Sequence, residues 1–116
     1  MSNDLIRIGK FTGTGAALTV SLGWIPDYVK CVNATDGDVI DEWFRNDAAG
    51  TSLRTIDTGA GAVDLVINAA DGVTAYAGST TAGPGFTVGT DISESAKVIN
   101  FIAMRNDARA HDATYP

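Results

Sequence analysis

One stretch constrains the fold more than any other: residues 83–105, GPGFTVGTDISESAKVINFIAMR. It opens on a Gly-Pro-Gly break, passes through a short strand at residues 86–88 and turns at Gly89, Thr90 and Asp91. It then enters the longest apolar run of the chain, residues 96–104. Val98, Ile102 and Met104 share one face at a period of two, and Ile99, Phe101 and Ala103 share the other. A strand apolar on both faces is covered on both sides, so this run is expected inside a sheet and not at its edge. A helix is the rival reading, but Val98, Ile99, Ile102 and Phe101 are residue types that favour strands.

The rest of the chain follows the same alternation. Residues 5–11 (LIRIGKF) set Leu5, Arg7, Gly9 and Phe11 against Ile6, Ile8 and Lys10. Residues 17–22 (ALTVSL) point Leu18, Val20 and Leu22 inward and Thr19 and Ser21 outward, as a half-buried antiparallel strand does. Pro26 has no N–H to give a ladder, so residues 23–27 form a corner. Residues 28–34 (YVKCVNA), 39–45 (VIDEWFR) and 51–57 (TSLRTID) read as the next strands, with Asp36-Gly37 as a hairpin signal between the first two. Trp43 and Phe44 then point to opposite faces. Residues 58–62 (TGAGA) read as a flexible, exposed connection. Residues 63–70 (VDLVINAA) fit a strand or one helical turn, and the strand is the better reading. Residues 73–77 make a short strand and residues 78–85 a loop, while 1–4 and 106–116 read as polar arms. Short strands about ten residues apart, with turn signals and no long amphipathic helix, predict an all-β, single-domain antiparallel β-sandwich or jelly-roll-like barrel.

Composition narrows the function classes. A chain of 116 residues with 45% hydrophobic and 19% charged residues suits one folded domain, not a disordered segment. A net charge of −6 with no cluster of Lys or Arg argues against direct nucleic-acid binding. Cys31 is the sole cysteine, so no internal disulfide forms, and its apolar neighbours suggest a packed thiol. No apolar run approaches the ~20 residues that span a bilayer, and no secretory core opens the chain, so no membrane association is expected.

Candidate chemistry is sparse. Gly13-Thr14-Gly15 follows a strand, as a dinucleotide-binding turn would, but Leu18 stands where a third glycine belongs and a strand follows instead of a helix. Asp36, Asp38 and Asp41 in DGDVIDE space carboxylates along a turn. The EF-hand register fails, since Ile40 takes a ligand position and Asp41 the position of the glycine. A solvated turn is expected there, with Ca²⁺ in an irregular loop as the alternative. His111 is the only histidine, so neither a zinc site nor a triad is expected. Glu42 and Glu94, the only glutamates, show no sign of a glycosidase pair. No catalytic residue, metal or cofactor is therefore expected. Trp24, Tyr28, Trp43 and Phe44 group around the Pro26 corner, where they fill the core, form a protein interface or stack on sugar.

Three pieces carry a resemblance: the turn and strand GTGAALTVSL, the corner and strand GWIPDYVKCVN, and GFTVGTD followed by VINFIAMR. Together they resemble small virion proteins of tailed bacteriophages, in particular capsid decoration (head) proteins, with Trp24 where phenylalanine is usual. The resemblance implies a non-enzymatic cement protein that binds the major capsid protein on the outer head and stabilises the particle. It implies a homo-oligomer, with a trimer favoured, located on the virion surface after assembly in the host cytoplasm. Its interface would draw on Trp24, Tyr28, Trp43 and Phe44, and the arms 1–4 and 106–116 would order on binding. A tail or fibre component and a carbohydrate-binding β-sandwich module using Trp24, Tyr28 or Trp43 are the alternatives.

Overall fold

The computed structural model describes residues 5–106. The arm at 1–4 and residues 107–116, including His111, lie outside the described residues. Within them run nine strands: β1 Ile6–Thr12, β2 Leu18–Ser21, β3 Tyr28–Asn33, β4 Val39–Phe44, β5 Ser52–Gly59, β6 Ala62–Asn68, β7 Val73–Tyr76, β8 Gly85–Val88 and β9 Val98–Met104. They form two antiparallel sheets. The larger has the order β1-β9-β3-β4-β5-β6 and the smaller β2-β8-β7. The fold is all-β with two layers, as the alternation of the sequence predicts.

The core lies where one face of each sheet meets the other. β3 buries Val29, Cys31 and Asn33, and β4 buries Val39, Asp41 and Trp43. β9 adds Ile99, Phe101 and Ala103, and the small sheet answers with Val73, Phe86 and Val88. Phe86 meets Phe101 edge-on across the layers, with ring centroids 5.4 Å apart. Each large apolar side chain fully buried here contributes about 1.5–3 kcal/mol.

β9 corrects one expectation. It does sit between two strands, β1 and β3. It is not covered on both faces: Val98, Ile102 and Met104 are only half-buried and Asn100 is exposed. The small sheet packs on one side of the large sheet, and among the described residues no layer covers the other. The strand also starts later than its apolar run, because Ala96 turns at φ 64 and donates its N–H to the Gly13 carbonyl. The same crossing explains Gly13. A side chain there would start 2.0 Å from the Glu94 carbonyl oxygen, so the Gly-Thr-Gly stretch is a close-packed turn.

Residues 58–62 are also not a loose connection. β5 extends to Gly59 and β6 begins at Ala62, leaving a tight hairpin in which Ala60 and Gly61 take positive φ.

Candidate functional site

Because one face of the large sheet packs on the core, every second side chain of its six strands points the other way. Strand register lines these up. Ile6, Met104, Tyr28 and Phe44 form one row. Ile8, Ile102, Lys30, Glu42, Leu53 and Ile67 form the next. Lys10, Asn100, Val32, Ile40, Thr55 and Leu65 form a third. Six strands about 4.8 Å apart, three rows deep, present roughly 500 Å² of projected area, polar and apolar together.

The face has a charged centre and apolar flanks. Lys30 stands opposite Glu42, and the Tyr28 hydroxyl donates to Glu42 Oε2 at 2.7 Å. Burial, then the hydrogen bond and the charge of Glu42, push the Tyr28 phenol up to about 12, so it stays a donor at neutral pH. On one flank lie Ile6 and Ile8, on the other Leu53, Leu65 and Ile67, all exposed. Two shallow grooves cut the face, one at the end of β1, β3 and β9 and one between β3 and β9. One of about 350 Å³ is lined by Leu5, Ile6, Asp27, Tyr28, Met104, Arg105 and Asn106. The other, about 280 Å³, lies over Lys30, Val32, Asn100, Phe101 and Ile102.

The aromatic group from the sequence splits across this sheet. Tyr28 and Phe44 stand on the open face with rings 5.1 Å apart. Trp43 and Trp24 are buried at 1% and 5% exposure and have no surface to offer a partner. Trp43 points inward beside Val29, and the Arg105 guanidinium lies 4.9 Å from the Trp24 ring centre. Alternation forces the split at 43 and 44. The exposed aliphatic residues Ile8, Leu65 and Ile67 were not singled out by the sequence, although each occupies an outward phase of its strand.

A buried ionic network is also absent from the sequence reading. Arg54 Nε and Nη2 donate to the two Asp41 carboxylate oxygens at 2.7 and 2.9 Å, and Nη1 donates to Asp91 at 2.7 Å. Nη2 also donates to the Asp71 carbonyl at 3.1 Å, and the Ser52 hydroxyl donates to Asp41 at 2.8 Å. The Arg54 and Asp41 side chains are almost wholly buried. The hydrogen bonds that Arg54 donates to Asp41 raise its pKa against the effect of burial, with help from Asp91. This fork fastens β4 and β5 to the turn before β9. Asp71 grips the same turn. Burial alone would raise its carboxyl, but amide donors from Asp91 and Thr90 and the Thr90 hydroxyl outweigh that and hold it below the usual carboxylate range. A carboxylate with a lowered folded pKa adds stability above the unfolded pKa of about 3.9, and that stability is lost as pH falls through the folded value. Denaturant titrations at pH 6 and pH 3 should therefore show a smaller acid loss in Asp71→Asn than in the parent, and equal losses would remove Asp71 from acid unfolding.

The acidic turn is built differently from its sequence. Asp41 is inside the network above, and Glu94 joins Asp36 and Asp38, with carboxylate oxygens within 4.8 Å of one another. Lys97 Nζ lies 3.3 Å from Asp36 and the Asn33 amide donates to Glu94, so protein groups serve two of the three carboxylates, while Asp38 Oδ1 is buried without a hydrogen-bond partner among the described residues. Cys31 faces Asp41 in the core. Burial, then that negative charge, push its thiol well up, which leaves it a packing residue.

No family model, curated protein or solved structure matches the chain. What the face can do is therefore read from its own geometry. A sheet with apolar flanks and opposite charges in register at its centre is suited to holding another protein surface and aligning it.

Proposed function

We propose that this chain is a non-enzymatic virion structural protein, a capsid decoration protein that docks on the major capsid protein through the open face of its six-stranded sheet. The observation that carries the reading is that face: exposed Ile6, Ile8, Leu65 and Ile67 around the Lys30–Glu42 pair. The aliphatic flanks supply burial, and the central pair supplies register. Many copies on one shell turn weak single contacts into firm attachment, because each neighbour raises the effective concentration of the next. Of the four aromatic residues expected at the interface, Tyr28 and Phe44 serve it directly, while Trp24 and Trp43 stiffen the sheet beneath.

The sugar-binding alternative gains no support. Tyr28 and Phe44 are inclined by 57°, so they form no flat platform, and both tryptophans are covered.

Cosedimentation with heads and with tails assembled without this chain tests the proposal. The parent should pellet with heads. Ile8→Glu places a charge on the flank and should weaken that binding at least tenfold, about 1.4 kcal/mol, without changing the melting temperature. Binding to tails alone would transfer the protein to the tail or fibre class. Binding to neither, or full binding by Ile8→Glu, would overturn the docking face.

A further inference from the structure

The large sheet ends on β6, and this edge differs from the others. β6 pairs with β5 on one side and, among the described residues, with no strand on the other. Sheet edges are commonly guarded against pairing by charged side chains, lysine above all, and by proline, a bulge or short length. Of such charges β6 has only Asp64. β1 at the opposite edge carries Arg7 and Lys10, and the small sheet's edges β2 and β7 are only 4 residues long. β6 runs for 7 residues with no Lys, Arg or Pro, and its one register shift lies at the hairpin end, between Asp57 and Gly59. Val63, Leu65 and Ile67 are exposed at 64%, 67% and 66%, and Val66 on the other face is exposed too. The strand is thus apolar on its open face, carries Asp64 as its one charge on the other, and among the described residues is unpaired along its outer edge.

We propose that β6 pairs with β6 of a second copy, antiparallel about a two-fold axis at Leu65, which joins two six-stranded sheets into one. The occupant follows from how the strand reads backwards. Leu65 is the midpoint of Ala62–Asn68, so this register uses the whole strand. It sets Leu65 against its copy and Val63 against Ile67 on the open face, all apolar pairs. On the other face it sets Asp64 against Val66, so neither carboxylate stands opposite its copy. Moving the axis to Asp64 would place the two carboxylates opposite each other and bring Ile67 to the hairpin turn. An isologous contact of this kind closes at two copies and does not grow into a fibre.

Size sets the strength. A 7-residue edge is about 24 Å long and about 10 Å thick, roughly 250 Å² per partner, against about 800 Å² in a standard stable interface. The pair is therefore weak in dilute solution and forms where copies are crowded. It rests on the strand edge alone and not on capsid docking, so the two can fail separately.

Sedimentation velocity on the full chain, from about 1 µM to about 1 mM, tests it. The parent should pass from monomer to dimer across that range. Leu65→Lys should weaken dimerisation at least tenfold with the melting temperature unchanged, while Ile8→Glu should leave it intact. If Leu65→Lys disturbs folding, a triple variant, Val63→Thr, Leu65→Thr and Ile67→Thr, keeps strand-forming residues and should lose the dimer. A monomer at the highest concentration, a trimer such as the resemblance implies, or a dimer indifferent to both sets of variants would overturn the strand pair.

Discussion

Asp41→Ala is expected to lower folding stability by about 3–5 kcal/mol, the cost of leaving a buried guanidinium without its partner. Arg54 donates two hydrogen bonds to Asp41, and both side chains are almost wholly removed from water. Removing the carboxylate leaves Asp91 and the Asp71 carbonyl as acceptors, but Asp91 is more than half exposed and screened by solvent. The Ser52 hydroxyl loses its acceptor at the same time. A double variant, Asp41→Leu with Arg54→Met, should lose far less than the single change, because no uncompensated charge remains in the core. Urea unfolding of the parent, the single and the double variant at pH 7 gives the comparison. A loss below about 1 kcal/mol for Asp41→Ala would mean that water reaches Arg54 and that the fork is not a fastener.

That network marks where sequence and structure part company. In VIDEWFR and TSLRTID, Asp41 and Arg54 look like ordinary polar residues of exposed strand faces. Their phase says otherwise: Asp41 alternates in step with Val39 and Trp43, and Arg54 in step with Ser52. The signal was present, but period two reports only which residues share a face, and the pairing of 41 with 54 needs the strand register. The strands themselves were legible, because apolar and polar residues alternate within bounds set by Gly, Pro and Asp-Gly signals. β9 was misread in one respect. Asn100 interrupts its outward set, and a single polar residue among Val98, Ile102 and Met104 marks the face that the small sheet leaves open. The exposure of β6 was not legible at all. Its composition is that of a covered strand, and only the strand order reveals that it ends the sheet.

Trp43→Ala is expected to cost about 3–5 kcal/mol of folding stability, whereas Phe44→Ala should cost about 1 kcal/mol and act on binding instead. The two side chains are neighbours in sequence with opposite surroundings, 1% and 56% exposed. Trp43 fills the layer beside Val29, so truncation leaves a cavity that the sandwich cannot close without moving β3 against the small sheet. Phe44 gives up only its tilted contact with Tyr28 and the area it shows to solvent. Unfolding curves should therefore separate the variants by more than 2 kcal/mol, about thirtyfold in the folding equilibrium constant. Cosedimentation with heads should separate them the other way, with folded Phe44→Ala binding less than the parent. Should Trp43→Ala fold normally and lose head binding while Phe44→Ala binds in full, the partner would have to reach the side of β4 that the small sheet covers. The sheets would then part on docking, and the open face would lose its role.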